Sequence, residues 1–402
     1  MGTGTILHLN LVGLMAAVEE RLEAGLRGRP FVLGNPGRGR AVVLDLSREA
    51  HRAGLRRGMA LDAAKRLVPG LLVLPPRPEL YARADGILFG LASGFSPLVE
   101  RAGAGHLFVD FRGTRSLWGG PEDGTAKLRK AVLEETGLLP SLALASTKTA
   151  AKVAARVIRP TGFLALASGE ERGLIRSQPV ELLPGVGPLL FERLRLLEIE
   201  EIGALADLDE LEARALGPRG PALRDRAAGL EAAAVDPEPP ARRRITGSRT
   251  LEPDSADPEL LARVARGLVS ELGFAMRREG LGAGRVELRL VFSEGQATSA
   301  SCRFPRALLR DDELERAALP LLLRAKTRRT RVRSLAVELG EFAPAGPELD
   351  LFTPEEAKRG RLQVALDRVR LRYGVEAIAT ASSGIAVART ASSDLALARA
   401  RP

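Results

Sequence analysis

The chain has 402 residues, 45% apolar and 27% charged, and its 60 Lys and Arg against 50 Asp and Glu give a net charge of +10. That apolar content excludes a wholly disordered chain, and roughly 100–200 residues per domain predicts two to four domains. A single cysteine, Cys302, excludes an intramolecular disulfide and a cysteine-cluster zinc site, and His8, His51 and His106 are too scattered in sequence for a structural metal centre.

The positive balance points to a polyanion partner, most simply nucleic acid, with mere solubility charge as the competing reading. Met1–Asn10 has no basic stretch leading into an apolar core, so no signal peptide is expected. No apolar run approaches the ~20 residues a bilayer-crossing helix needs. A cytoplasmic location without membrane contact is expected.

Residues 1–165 read as α/β. Ile6–Val12 is a strand candidate and Met15–Leu26 has helical spacing. Phe31–Leu33 and Ala41–Leu46 are short strands around the turn-rich loop 34–40. Leu61–Leu67 reads as a helix, Leu71–Leu74 as a strand and Glu79–Gly94 as a helix. Strands follow around Val99 and at Leu107–Phe111, then a helix at Thr125–Thr136, a strand at Leu142–Ala145 and a helix at Thr147–Val157.

Over residues 166–235 strand signals vanish, and short helices alternate with Gly and Pro. Residues 236–244, with three prolines and then Arg242, Arg243 and Arg244, have linker composition. Residues 245–342 read β-α-β-β-α-β: strand Ile245–Leu251, helix Pro258–Glu279, strands Val286–Phe292 and Ala297–Phe304, helix Asp311–Ala325 and strand Val332–Leu339. In the last strand, Arg331, Arg333, Leu335, Val337 and Leu339 alternate imperfectly with Val332, Ser334, Ala336 and Glu338. Residues 343–402 read as a tail with one helix, Glu355–Tyr373, and an Ala/Ser-rich end. Leu362, Ala365, Leu366 and Val369 form the apolar stripe expected to pack that helix.

This order of pieces resembles the Y-family DNA polymerases over residues 5–374. The most specific stretches are His8–Glu19, Arg48–Met59, Leu107–Gly119, Thr147–Gly162, Leu182–Leu197 and Arg361–Gly374, in the family's order. The resemblance implies an α/β and α+β multidomain chain with right-hand architecture. Palm and fingers would span 1–165, with the fingers at about 15–79. A helical thumb with a helix-hairpin-helix would span 166–235, a basic linker 236–244, a βαββαβ little finger 245–342, and a tail the rest.

Nucleotidyl transfer in this family uses two metal ions on carboxylates, because hard divalent cations need anionic oxygen ligands. The family's first-strand aspartate matches Asn10, and the second ligand position of that strand matches Val12. The Asp-Glu pair matches Gly105 and His106, taking Phe108-Val109-Asp110 as anchor. The aromatic sugar gate matches Met15. The triphosphate-gripping Tyr and Arg match Arg48 and His51, and the Lys-Pro lysine matches Arg159. The resemblance therefore implies a pocket disabled for chemistry. The competing reading is a metal site rebuilt from Asp45, Asp62 or Asp110.

Leu183-Pro184-Gly185-Val186-Gly187 is similar to a helix-hairpin-helix turn, in which Gly185 and Gly187 let backbone N–H groups meet a phosphate. An ordinary helix–helix turn is the plain alternative. Leu216-Gly217-Pro218-Arg219-Gly220 is a weaker second turn of that kind. Arg243, Arg244, Arg249, Arg329, Arg331 and Arg333 recur where the family's little finger tracks the DNA backbone, beside Arg277, Arg278, Lys326 and Arg328. Such contacts carry no base sequence, and with 12 Phe, 2 Tyr and 1 Trp base stacking has little support.

Pro347-Glu348-Leu349-Asp350-Leu351-Phe352 resembles the bacterial sliding-clamp-binding peptide, with Leu349, Leu351 and Phe352 as its apolar anchors. Docking of this tail on its own domain is the alternative. Taken together, the resemblance is to an inactive, ImuB-type mutasome branch of the family: a non-catalytic DNA-binding scaffold without cofactor. Its implied partners are DNA, the sliding clamp, a RecA-like accessory protein and an error-prone replicative-type polymerase. The alternative is an active error-prone translesion polymerase of the DNA polymerase IV type, using Mg²⁺ at a displaced site.

Overall fold

The computed structural model describes residues 4–35, 40–167, 169–230, 234–237, 244–344 and 354–378. Its strands in chain order are β1 Ile6–Asn10, β2 Phe31–Leu33, β3 Asp45–Leu46, β4 Leu72–Leu74, β5 Val99–Gly103 and β6 His106–Asp110. They continue as β7 Ser141–Ala145, β8 Gly162–Ala165, β9 Arg244–Ser255, β10 Leu281–Phe292, β11 Ala297–Leu308 and β12 Val332–Pro344. The chain divides into two compact units, 1–239 and 240–401. Among the described residues no helix is long and apolar enough to cross a membrane.

The first unit is organised by a five-stranded sheet in the order β5-β6-β1-β7-β8. β1 is buried along its whole length and pairs antiparallel with both β6 and β7. Successive side chains of a strand point to opposite faces. Leu7 and Leu9 therefore join Leu107, Val109, Leu142 and Leu144 in one core, with Leu88 of the Pro78–Phe95 helix and Leu128 of the Pro121–Thr136 helix. Ile6, His8 and Asn10 take the other face, beside Phe108 and Ala143. The helix Lys148–Val157 covers that face. It buries Ala150, Ala151, Ala154 and Ala155, whose small side chains let it lie close to the sheet. A second, three-stranded sheet, β3-β2-β4, has its own small core around Val32, Val43 and Leu61.

Several boundaries differ from the sequence reading. β1 stops at Asn10, because the chain turns there into the helix Leu14–Leu22, and Val12 is left exposed outside the strand. That helix ends at Leu22 and is followed by a 3-10 turn, Ala24–Leu26, in place of one helix through Leu26. Of Ala41–Leu46 only Asp45 and Leu46 pair as a strand, while Val42 forms an isolated bridge with Ala60. β8 was not anticipated. It is short, half-exposed and runs parallel to β7 at the sheet edge.

Residues 171–227 form short helices, as expected, around Leu183, Leu194, Ile202, Leu205 and Leu223. The second unit has the expected β-α-β-β-α-β order in one antiparallel sheet, β11-β10-β12-β9. Its helices Pro258–Arg278 and Asp311–Ala325 share a single core with that sheet. β12 runs on to Pro344, past the start expected for a tail, because it pairs with β10 as far as Leu281. A register shift against β9 lies between Val332 and Ser334. This irregularity puts Val332 inside together with Leu335, Val337 and Leu339 and explains the broken alternation of the sequence.

The helix Pro354–Tyr373 docks mainly through polar side chains, and the expected apolar stripe packs only in part. Leu362 and Leu371 are exposed, at 59% and 62%, while Gln363 and Arg370 are buried. Arg370 Nη1 lies 2.9 Å from Asp311 Oδ2, and Arg277 Nε lies 2.6 Å from Asp367 Oδ2. Gln363 Oε1 accepts from Asp311 N at 3.0 Å. The helix lands on the polar N-terminus of the Asp311–Ala325 helix. Hydrogen bonds and ion pairs hold it there; of the expected stripe, Leu362 and Ala365 are exposed while Leu366 and Val369 are half-buried.

Candidate active site and nucleic-acid surface

The ends of β1 and β6 bring the metal-ligand positions together. Asn10 pairs across to His106 on one side and Ser141 on the other. Leu11 N donates to Gly105 O at 2.8 Å, carrying the β1–β6 pairing one residue further into the turn between β5 and β6. Gly105 has φ +72°, and a Cβ there would lie 3.0 Å from Leu11 O, so an aspartate at this position would be strained. Asn10 is fully buried. With its amide oxygen turned to the guanidinium, it accepts from Arg159 Nε at 2.9 Å and Nη2 at 3.1 Å. Sequence reading placed both residues at the site but did not foresee that they bond each other.

The surroundings are cationic. His8 stacks on His106 with ring centroids 5.6 Å apart and lies 4.7 Å from the Phe108 ring. Burial, reinforced by Lys152, Arg159, Arg156 and Arg57, pushes the His106 imidazole down to about 3. Burial likewise pushes His8 well below the usual imidazole range, with His106 and then Lys152 adding to it. Lys152 is lowered to about 8, first by burial and then by Arg156 and Arg226, while Glu100 opposes the shift. Both imidazoles are therefore neutral at pH 7.

Two divalent ions do not fit these residues. The donors present are one amide, already bonded to a guanidinium, and two neutral imidazoles beside several cations. Mg²⁺ dehydrates reluctantly and needs anionic oxygen. Among the described residues no group of three or more His, Cys, Asp or Glu is arranged to hold a metal.

The aspartates that could rebuild a site are held elsewhere. Asp110 is fully buried at the far end of β6, paired with Ile6, and accepts from Arg112 N at 2.9 Å and Arg112 Nε at 2.7 Å. Asp45 accepts from Met15 N at 3.1 Å and Ala16 N at 3.2 Å at the start of the Leu14–Leu22 helix, and from Arg57 Nε at 2.9 Å. Asp62 is exposed in the first turn of the Leu61–Leu67 helix. Met15 packs partly buried against the main core. Arg48 and His51 are exposed on the short helix Arg48–Arg52, and no described hydrogen bond or ion pair joins them to Asn10 or His106.

His8, Arg57, Lys152 and Arg156 were missed as site residues. For two of them a signal was present: Lys148, Lys152 and Arg156 recur every fourth residue, which puts them on one helix face, and Arg159 follows three residues later.

A family model described as the impB/mucB/samB family matches residues 13–156, and the model of that family's C-terminal domain matches residues 242–351. The chain belongs to this family of Y-family DNA polymerases. It is 27% identical to a DNA polymerase IV of Dehalococcoides mccartyi (strain CBDB1), covering 94% of this chain and 97% of that one. It is 30% identical to DNA polymerase IV 1 of Bacillus subtilis (strain 168), covering 93% and 91%. Among solved structures, a Y-family DNA polymerase chimera superposes with a TM-score of 0.75 at 20% identity, over 84% of this chain and 99% of that one. DinB from Sulfolobus solfataricus superposes with 0.57 at 20% identity, over 83% and 98%. The mixed α/β multidomain Y-family fold expected from the sequence is thus the fold of this chain.

The Y-family member carries two further surfaces of interest. In the helical region, Gly185 has φ +104° and Gly187 precedes the helix Pro188–Leu196. A Cβ on Gly185 would lie 2.8 Å from Leu223 and 2.9 Å from Arg226 Nη1, and Arg226 donates to Pro184 O at 2.9 Å, so this tight turn needs glycine. In the second unit the sheet face away from the helices carries Ser248, Arg289, Ser299 and Ser301, all exposed. Arg329 and Arg331 are exposed and bonded to no acidic side chain among the described residues. Arg244 is exposed, with Glu338 at 3.5 Å.

Two expected arginines sit differently. Arg249 pairs in register with the core residue Leu335 and is held by Glu271 of the Pro258–Arg278 helix, so it lies on the helix-facing side of the sheet. Arg333, at the strand irregularity, donates to Ser293 O and lies 3.9 Å from Asp254. Arg243 and the clamp-peptide residues Leu349, Leu351 and Phe352 lie outside the described residues.

Proposed function

We infer that this chain is a non-catalytic, DNA-binding member of the Y-family polymerases that tethers mutagenic repair machinery to the sliding clamp. The observation that carries this reading is the Arg159–Asn10 contact: a guanidinium is bonded at the position where the family places a metal-binding carboxylate. The neutral imidazoles and the cations around them support it further.

In this reading residues 1–165 are palm and fingers, 166–235 the thumb, 236–244 the linker and 245–342 the little finger. DNA is held by its backbone at the Gly185–Gly187 turn and by Arg243, Arg244, Arg329 and Arg331. Leu349, Leu351 and Phe352 engage the clamp. A RecA-like protein and an error-prone replicative-type polymerase are the further partners.

A second reading, an active translesion polymerase, is favoured by the relatives named DNA polymerase IV that match nearly the whole length of the chain. It requires a metal site built from carboxylates that are engaged elsewhere, Asp45 and Asp110 among them. Primer extension on a damaged and an undamaged template, with Mg²⁺ and with Mn²⁺, separates the two. The scaffold reading expects retention of primer–template DNA without extension; extension abolished by Asp45→Ala or Asp110→Ala establishes the polymerase.

A further inference from the structure

The helix pair of the second unit is covered at one end by the tail helix and open at the other. The helices Pro258–Arg278 and Asp311–Ala325 run antiparallel: Arg277 and Ser270 meet Asp311, Arg266 lies 3.8 Å from Glu315, and Lys326 donates to Ala256 O. The helix Pro354–Tyr373 sits on the first of these contacts, where Arg370 donates to Ser270 Oγ at 2.6 Å and to Asp311 Oδ2 at 2.9 Å. Past the Arg266–Glu315 pair an open groove of about 640 Å³ lies between the two helices. Arg263, Arg266 and Ser270 are three and four residues apart, so the groove and the covered end share one face of their helix.

The groove has an apolar floor and a cationic rim. Leu261 and Leu322 are buried beneath it, Ala262 and Leu319 are half-buried, and Leu323 at its edge leaves 74% of its surface in solvent. Its charged lining residues are Arg263, Arg266 and Lys326 against one acid, Glu259. Arg263 is bonded to no acidic side chain among the described residues. An occupant must therefore offer apolar side chains to the floor and carboxylates to the rim. A nucleic-acid backbone has nothing for the floor. Residues 379–402 of this chain carry Arg389, Arg399 and Arg401 against Asp394 alone, the wrong sign for the rim.

We propose that this groove docks an acidic amphipathic helix of a partner protein, with Leu or Phe anchors at i, i+3, i+4 and i+7 and carboxylates on the flanks. The stretch Pro258–Arg266 rises about 12 Å, which matches about two turns of such a helix. The groove lies wholly in the second unit, so the proposal does not rest on the reading of the active site.

The test is fluorescence anisotropy of the full chain with a labelled peptide of about 15 residues, long enough to hold a helix. The peptide has Leu and Phe on one face, Glu on the flanks and Ala elsewhere. Two controls accompany it: the same apolar face with Lys for Glu, and a scrambled order of the acidic composition. The acidic peptide is expected to saturate one site and to bind at least tenfold more tightly than either control. Leu323→Asp weakens it at least tenfold. Arg263→Glu weakens the acidic peptide and strengthens the Lys peptide, a crossover that loss of structure does not produce. Leu117→Asp, exposed in the first unit, changes nothing. Thermal melting accompanies each variant; where one does not fold, Leu323→Ser and Arg263→Gln replace it, the first weakening the acidic peptide and the second narrowing the gap between the two charged peptides. The proposal is overturned if the acidic peptide binds no better than its controls, or if Leu323→Asp and Arg263→Glu leave its affinity unchanged. Self-association in sedimentation velocity that Leu323→Asp abolishes would also overturn it, because the occupant would then be a second copy of this chain.

Discussion

Arg159 donates two hydrogen bonds to the side-chain amide of Asn10, from Nε at 2.9 Å and from Nη2 at 3.1 Å. A carboxylate at position 10 would form an ion pair in the same geometry, so the guanidinium competes with any metal for that side chain. Restoring one ligand therefore does not restore a site. Asn10→Asp is predicted to give no primer extension with Mg²⁺. It is also predicted to stabilise the first unit by about 1 kcal/mol through charge-assisted bonds to Arg159, read as a shift in the urea midpoint.

The two histidines give a pH dependence with a definite sign. Unfolded imidazoles titrate near about 6.5. Folded His106 is held at about 3 and folded His8 well below its ordinary value, by burial first and then by neighbouring cations. Below about pH 6.5 the unfolded chain binds protons that the folded chain does not, so stability is full above that value and falls as pH falls. For His106 the loss by about pH 5 is up to ~2 kcal/mol. Urea unfolding at several pH values checks this, and His106→Gln is expected to flatten part of the slope.

The helix Pro354–Tyr373 is docked by charge. Arg370→Ala would leave Asp311 buried with one partner fewer, and removing one member of a buried ion pair costs about 3–5 kcal/mol. Leu362→Ala, at an exposed position of the helix, is expected to stay within about 0.5 kcal/mol. Denaturant unfolding of the two variants side by side reads the difference; the reverse ranking would mean that the apolar stripe is the docking face.

DNA binding by backbone neutralisation has a salt signature. Each phosphate contact contributes about 0.9 to the slope of log affinity against log salt. Arg329→Ala with Arg331→Ala is expected to reduce that slope by about 2 and to weaken all sequences alike. Arg249→Ala is expected to leave the slope unchanged and to lower stability, because its charge is held by Glu271 on the helix side of the sheet. Fluorescence anisotropy across a salt series distinguishes them.

Strand positions were legible because period-two apolar patterns and turn residues are local signals. Leu7, Leu9, Leu107 and Val109 fall on one buried face as their alternation implies. Val332 was not placed, because a strand irregularity breaks the period and only pairing with β9 reveals it. The docking of the Pro354–Tyr373 helix was misjudged for a different reason. Its apolar spacing is real, but what it meets is Ser270, Arg277 and Asp311, from segments that no spacing rule connects to it. At the site, loss of carboxylates was readable from the residues alone. Arg159 was readable as a pocket residue, but that its guanidinium holds Asn10 is visible only in three dimensions.

The central claim is that the cradle at Asn10, Gly105 and His106 seats no divalent cation. Electron paramagnetic resonance titration of Mn²⁺ into the protein with primer–template and an incoming deoxynucleotide tests this most directly. The account predicts a free-Mn²⁺ signal that falls no further than the nucleotide and DNA alone produce. Two additional ions bound per chain, lost on Asp45→Ala or Asp110→Ala, would contradict it.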